Sequence, residues 1–172
     1  MNRKTRFIAV IALLLSVIAQ FQTALASGNI SKITSQELKN ELYADDAQVK
    51  ILFVFTSWCG VCKRSMPDLT NLHEKFAEGK EAKIIALSID HDLDKLEQYV
   101  GSIDARSLYI SALDFSSSRD IITAFKELDV NYNGSIPYIV IAYNGKLLAS
   151  GNYDVNSLYN AVLHIRSDSR NH

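Results

Sequence analysis

Cysteine and proline are scarce in this chain, 2 of each in 172 residues, alongside 7 glycines and 1 tryptophan. So few cysteines exclude a disulfide-stapled scaffold, and with no second cysteine pair they also argue against a tetrahedral zinc site. So little proline and glycine excludes a collagenous or low-complexity chain. An excess of charge of one sign is missing too. Lysine and arginine total 18 against 19 acids, a net charge of −1, which is too little basicity for a nucleic-acid partner. What is left is an ordinary globular composition, 48% hydrophobic and 22% charged. The length suits one domain with a sizeable core, and no repeat or linker divides it.

The charge is nevertheless unevenly placed. Residues 1–26 carry Arg3, Lys4 and Arg6 and no acid. An apolar run from Phe7 to Ala19 follows, broken only by Ser16, and Gln20, Gln22 and Thr23 end it short of the ~20 residues that span a bilayer. Ala24-Leu25-Ala26 then offers a small-x-small cleavage pattern before Ser27. This order predicts a secretory signal peptide over 1–26 and a mature domain over 27–172, outside the cytoplasm. An uncleaved segment tethering the domain to the membrane is the alternative.

Both cysteines lie in Trp58-Cys59-Gly60-Val61-Cys62. A bridge closing so short a loop removes little chain entropy, so stabilisation is a poor reason for it. Haem attachment needs histidine after the second cysteine, and that position is Lys63. A reversible dithiol–disulfide pair is the favoured reading. Ile51 to Phe55 is an apolar run short enough for a strand buried on both faces. Cys62, Met66, Leu69, Leu72 and Phe76 then recur at helical spacing, with Gly79 as a stop. The pair is thus expected where a central strand turns into a helix. Cys59 sits at the helix mouth, where unpaired N–H groups and the dipole favour a thiolate, and Cys62 lies under the apolar stripe. That assigns Cys59 as nucleophile, with a pKa lowered from about 8.5 to ~7 or below, and Cys62 as resolving thiol. Lys63 and Arg64 add positive charge nearby but also suit an ordinary solvated helix face.

Around the motif, Thr34-x-x-Glu37 is a capping box opening a helix through Leu42. Ala82–Ile89 reads as a strand, and Leu93, Leu96, Tyr99 and Val100 mark a helix. Leu108–Ile110 is a candidate short strand. Ser118 is expected to cap a helix carrying Ile121, Ile122, Phe125 and Leu128. Tyr138–Tyr143 and Lys146–Ala149 flank Asn144-Gly145, a strong hairpin signal. Asp154 caps a last helix with Val155, Leu158, Tyr159, Val162 and Ile165 inward, and 167–172 reads as a frayed polar tail. The alternation predicts an α/β domain, a mixed central sheet with helices on both faces.

With these pieces in order, the chain resembles the thioredoxin superfamily, and within it the exported TlpA/ResA-like branch. The resemblance rests on the strand into WCGVC, the following KRSMP, ALSID, GSIPYIVIAYNGKLL and the last helix, which cover nearly all of 27–172. It implies a thioredoxin-like fold in which residues 91–117 form a helix-and-strand insert ahead of a cis-proline loop at Ile136-Pro137. It implies that Trp58, Ile136 and Pro137 meet the substrate, the backbone before the proline pairing with a substrate strand, and that Pro67 kinks the active-site helix.

The departures from the family pattern are specific. Phe53 occupies the place of thioredoxin's buried acid, and Ser65 that of the glutamate common in TlpA/ResA-like reductases. Val61 replaces the common motif proline, and Tyr138 an acidic residue of the cytochrome c maturation members. His73, His91, His164 and His172 are scattered and do not pair with the cysteines. The expected activity is an extracytoplasmic, periplasmic-type thiol:disulfide oxidoreductase needing no cofactor or metal. Its partners would be protein disulfides, with apocytochrome c or a copper-site assembly factor among the candidates, and a membrane electron donor. The alternative is a copper-binding metallochaperone that holds Cu(I) through Cys59 and Cys62, since soft thiolates suit that ion.

Overall fold

A computed structural model describes residues 30–46, 48–104 and 108–169. The expected signal segment lies outside these residues, as does His172. Among the described residues six strands form one sheet: β1 (Ser31–Ile33), β2 (Val49–Phe55), β3 (Ala82–Ser88), β4 (Tyr109–Leu113), β5 (Tyr138–Tyr143) and β6 (Lys146–Gly151). Their spatial order is β1-β4-β3-β2-β5-β6. The first four are mutually parallel, while β5 runs antiparallel to β2, and β6 to β5. Among the described residues five helices accompany them: α1 (Ser35–Leu42), α2 (Gly60–Gly79), α3 (Leu93–Gly101), α4 (Ser118–Glu127) and α5 (Val155–Ser169). This is the mixed, helix-flanked sheet expected of a thioredoxin-like fold. The stretch read as an insert supplies α3 and β4, and β4 enters the sheet between β3 and β1.

The strand β2 explains why the core has two halves. Every one of its side chains is buried, and alternate residues point to opposite faces. Val49, Ile51, Phe53 and Phe55 pack with Met66, Leu69, Leu72 and Phe76 of α2 and with Leu158 and Val162 of α5. Leu52 and Val54 pack instead with Leu38 and Leu42 of α1 and with Ile121 and Phe125 of α4. A strand covered on both sides favours apolar residues throughout, which is the run seen from Ile51 to Phe55, and Lys50 is the one exception in β2.

Several boundaries differ from expectation, each for a local reason. The strand β2 begins at Val49, ahead of the apolar run, because Lys50 is buried with only 1% exposure. Its ammonium donates to Asp46 Oδ2 at 2.5 Å, so the charge is paired at the sheet's lower rim. The polar strand β1 carries no apolar alternation and is held by parallel pairing to β4. The strand β4 runs to Leu113, three residues beyond the expected end. Ser117, not Ser118, is the N-cap of α4, and the Asp120 carboxylate accepts from the Ser117 N–H at 2.8 Å. Tyr159 is exposed rather than inward, its ring stacked on Phe76 at 5.7 Å between centroids. The expected tail is helical through Ser169, where the Ser167 and Ser169 hydroxyls donate back to the His164 and Ile165 carbonyls.

The hairpin signal is met as read. Asn144 and Gly145 both have positive φ, 47° and 70°, which matches the right-handed twist of β5 and β6. No helix among the described residues is long and apolar enough to cross a membrane.

Candidate active site

The sheet brings three chain ends to one rim. The parallel strands β2 and β3 finish there, and antiparallel β5 begins there, with Val54 opposite Tyr138 and Phe55 opposite Ser88. The chain leaving β2 therefore passes beside Ile136-Pro137 and the residues just after β3. It turns at once, with the Cys59 N–H donating to the Thr56 carbonyl at 3.2 Å, and α2 starts at Gly60.

Cys59 occupies the N-cap position of α2, since its carbonyl accepts the first helical bond from the Lys63 N–H at 3.0 Å. The Cys62 N–H, one of the donors a helix start leaves without an intrahelical partner, points at Cys59 Sγ from 3.2 Å. The two cysteines are joined as a disulfide, their Cα atoms 5.2 Å apart. Cys62 is fully buried, whereas Cys59 retains 8% exposure between the exposed Trp58, at 71%, and exposed Gly60 and Val61. An attacking partner thus meets Cys59 first.

The Ile136–Pro137 peptide bond is cis. Both residues are half-buried, and Ile136 packs against the core half that contains Cys59 and Cys62. The Asn152 amide ties this loop to the turn before α5, donating to the Pro137 carbonyl at 2.6 Å. The Ser135 hydroxyl lies 2.8 Å from Asn152 Oδ1 and 2.5 Å from Asn133 Oδ1. Trp58, the dithiol and the Ile136-Pro137 loop thus share one rim of the sheet. Pro67 lies inside α2, one residue after Met66, which packs in the same core half as Cys62.

Phe53 and Ser65 carry no charge to the dithiol: the first is core, and the second donates its hydroxyl to the Val61 carbonyl. The nearby cations, Lys63 and Arg64, are exposed, as on a solvated helix face, and each lies near a neighbour. Lys63 Nζ lies 5.2 Å from the centre of the Tyr99 ring. The Arg64 guanidinium lies over Gly60, 3.7 Å from where a Cβ there would sit. Tyr99 also approaches the Phe55 ring at 6.4 Å, and burial pushes its hydroxyl pKa upward.

A buried acid that the sequence reading missed stands at the same rim. Asp90 follows β3 and is 5% exposed. It accepts hydrogen bonds from the Ser57 N–H (2.7 Å), the Ser57 hydroxyl (3.0 Å) and the Ser88 hydroxyl (2.8 Å). The available signal was Ser88-Ile89-Asp90, a polar pair closing a strand whose preceding residues are almost all apolar. Of the histidines, His73 is buried beside Tyr109, His91 packs edge-on against Phe115 and His164 pairs with Asp168. No group of three or more metal-ligating side chains occurs among the described residues.

Known proteins place this arrangement. The sequence model of a family described as thioredoxin-like matches residues 46–147. No curated protein sequence matches the chain. Among solved structures, the thioredoxin-related protein of Neisseria meningitidis serogroup B is similar, with a TM-score of 0.57 and 21% identity over 73% of this chain and 90% of that one. The thioredoxin domain of a thiol-disulfide oxidoreductase from Bacteroides vulgatus gives 0.56 and 17%, over 73% and 82%. An exposed lipoprotein thioredoxin from Streptococcus pneumoniae gives 0.56 and 14%, over 72% and 89%. At these identities the likeness is one of fold.

Proposed function

Because the chain belongs to the thioredoxin-like family, we propose that it is an extracytoplasmic thiol:disulfide oxidoreductase of the TlpA/ResA-like type, reducing protein disulfides through Cys59 and Cys62. One observation carries this reading. The Cys62 N–H is aimed at Cys59 Sγ, while Cys62 itself is sealed from solvent. A helix-start donor on the sulfur lowers the thiol pKa towards neutrality, which makes Cys59 the attacking thiolate.

The chemistry proceeds by two exchanges. The Cys59 thiolate attacks one sulfur of a substrate disulfide, forming a mixed disulfide and releasing the other substrate sulfur as a thiolate that takes up a proton. Cys62, losing its proton, then attacks the Cys59 sulfur, and the second substrate thiol departs. Two electrons and two protons have passed to the substrate, and Cys59–Cys62 is left oxidised. A dithiol donor, reached at the membrane, returns the pair to its reduced form. Trp58, Ile136 and Pro137 form the landing surface for the substrate strand around the attacked sulfur.

Export is supported by the basic, apolar and small-residue order of 1–26, which leaves 27–172 as the working domain. The exposed lipoprotein among the similar structures has the same fold outside a cell. Apocytochrome c and copper-site assembly factors are the protein substrates that fit such a reductant. Turnover of a disulfide-bonded peptide by the reduced domain, with Cys59→Ser as control, tests the reading. Tight Cu(I) binding by the reduced protein without turnover would replace it with the metallochaperone.

A further inference from the structure

We propose that Asp90 is a positioning residue for the dithiol: its carboxylate fixes the turn that delivers Cys59 to the mouth of α2 and opposes the build-up of negative charge on the Cys59 sulfur. The proposal rests on Cys59 being the reacting thiol.

The fixing follows from the bonding pattern. Asp90 takes both the main-chain and side-chain donors of Ser57, two residues before Cys59. Its other partner is Ser88 at the end of β3, whose hydroxyl in turn accepts the Asp90 N–H at 3.0 Å. The Ile89 N–H donates to the Phe55 carbonyl at 3.0 Å, so β2 and β3 stay paired up to this point. The turn before the nucleophile is thereby tied to a second strand, and three polar groups that burial would leave unsatisfied are all used.

The opposition follows from distance and burial. Two residues of chain span at most about 7 Å, so the carboxylate lies within roughly 10 Å of the Cys59 backbone. Ser57 and Asp90 are both buried, so little water screens the path. The carboxylate's partners are amide and hydroxyl groups, and no cation pairs with it among the described residues. Lys63 lies over Tyr99, Arg64 over Gly60, and the His91 ring against Phe115. The Cys62 N–H and the Lys63 and Arg64 cations favour the thiolate, and Asp90 pulls the other way. The pair is thereby held on the reducing side, from a position distinct from those occupied by Phe53 and Ser65.

Asp90→Asn separates charge from shape. With its amide oxygen placed where Oδ2 stands, asparagine still accepts from the Ser57 N–H and the Ser88 hydroxyl, and its NH2 can donate to the Ser57 oxygen. The pH midpoint of Cys59 alkylation in the reduced protein should fall by about 0.5 to 1 unit. The equilibrium with glutathione should move several-fold towards the reduced dithiol. Asp90→Ala should lose the bracket as well and broaden the amide signals of residues 56–59. An unchanged or raised midpoint in Asp90→Asn overturns the proposal. A second measurement needs no substitution at Asp90. In the reduced wild-type protein, the Asp90 carboxyl carbon resonance should shift with the Cys59 alkylation midpoint, and this inflection should vanish in Cys59→Ser. A resonance indifferent to Cys59 overturns the proposal. Alkylation requires no turnover, so an inactive domain would sink the reductase reading while leaving this test intact.

Discussion

The main-chain N–H of Cys62 donates to the sulfur of Cys59 across 3.2 Å. One residue of the pair therefore turns a backbone donor on the sulfur of the other, while its own side chain stays buried. The surroundings of the two sulfurs are therefore asymmetric, and the proposed division of roles follows from that asymmetry.

Alkylation should read this asymmetry directly. Near neutral pH, Cys59 of the reduced protein should be modified at least about tenfold faster than Cys62, as a low-pKa, accessible thiol against a buried one. Cys59→Ser should abolish exchange, and Cys62→Ser should accumulate mixed disulfides that resolve slowly. Mass spectrometry of quenched reactions distinguishes these outcomes, and equal labelling of the two thiols would contradict the assignment.

The potential of the pair should lie between about −270 and −120 mV, the thioredoxin and DsbA values, and nearer the first. One helix start and two neighbouring cations give the thiolate only part of the support that a strong oxidant needs. Equilibration in glutathione buffers measures it. A value close to that of DsbA would mark an oxidase or isomerase.

Asn152→Ala should loosen the Pro137 loop at a modest cost in stability, about 0.5–1.5 kcal/mol for the lost bond. On the proposal that the loop meets substrate, its larger effect should be a raised KM for a disulfide-bonded peptide with little change in kcat, since the thiols are untouched. Steady-state kinetics beside a urea melt separate the two effects. By contrast Phe53→Ala, at a fully buried position of β2, should cost about 3–5 kcal/mol in the same melt.

Acid should unfold the domain through its helix starts. The Thr34 N–H and hydroxyl donate to Glu37, and the Ser116 and Ser117 N–H groups to Asp120, holding both carboxyls below their ordinary pKa values. A carboxyl whose folded pKa is depressed stabilises the fold fully above its unfolded value of about 4 and loses that contribution as pH falls through the folded value. Melting temperature should therefore hold from neutral pH to about 5 and drop below 4. Asp120→Ala should be less stable at neutrality and show a shallower acid decline.

Export is checked by intact mass. The protein recovered from outside the cytoplasm should begin at or within a residue or two of Ser27. Recovery only from membranes, with Met1 to Ala26 retained, would make the segment an anchor.

Much of this architecture was legible because the chain writes burial plainly. The apolar run into WCGVC, the stripe from Cys62 to Phe76 and the Asn144-Gly145 turn each have one physical reading. Lys50 hid the start of β2, since a lysine in a strand buried on both faces makes sense only once Asp46 is seen beside it. The strand β1 was invisible because its stability comes from a partner far along the chain. Ser117 and Ser118 compete as caps, and only the bonds made by Asp120 choose between them. Asp90 was missed for a deeper reason. An acid after a strand looks like a surface turn, and its burial depends on Ser57, thirty-three positions earlier.

The order of the strands also decides which parts of the molecule breathe together. The strand that launches the dithiol lies between β3 and β5, with β4 and β1 beyond on one side and β6 on the other. Short edge strands such as β1 open locally at low free energy, whereas an inner strand covered on both faces opens only with the whole domain. Amide exchange in β1 and β6 can then run fast while β2 stays protected. The reactive turn is anchored to the last element to let go, so warming or mild denaturant should fray the sheet's borders well before it blunts the thiol chemistry.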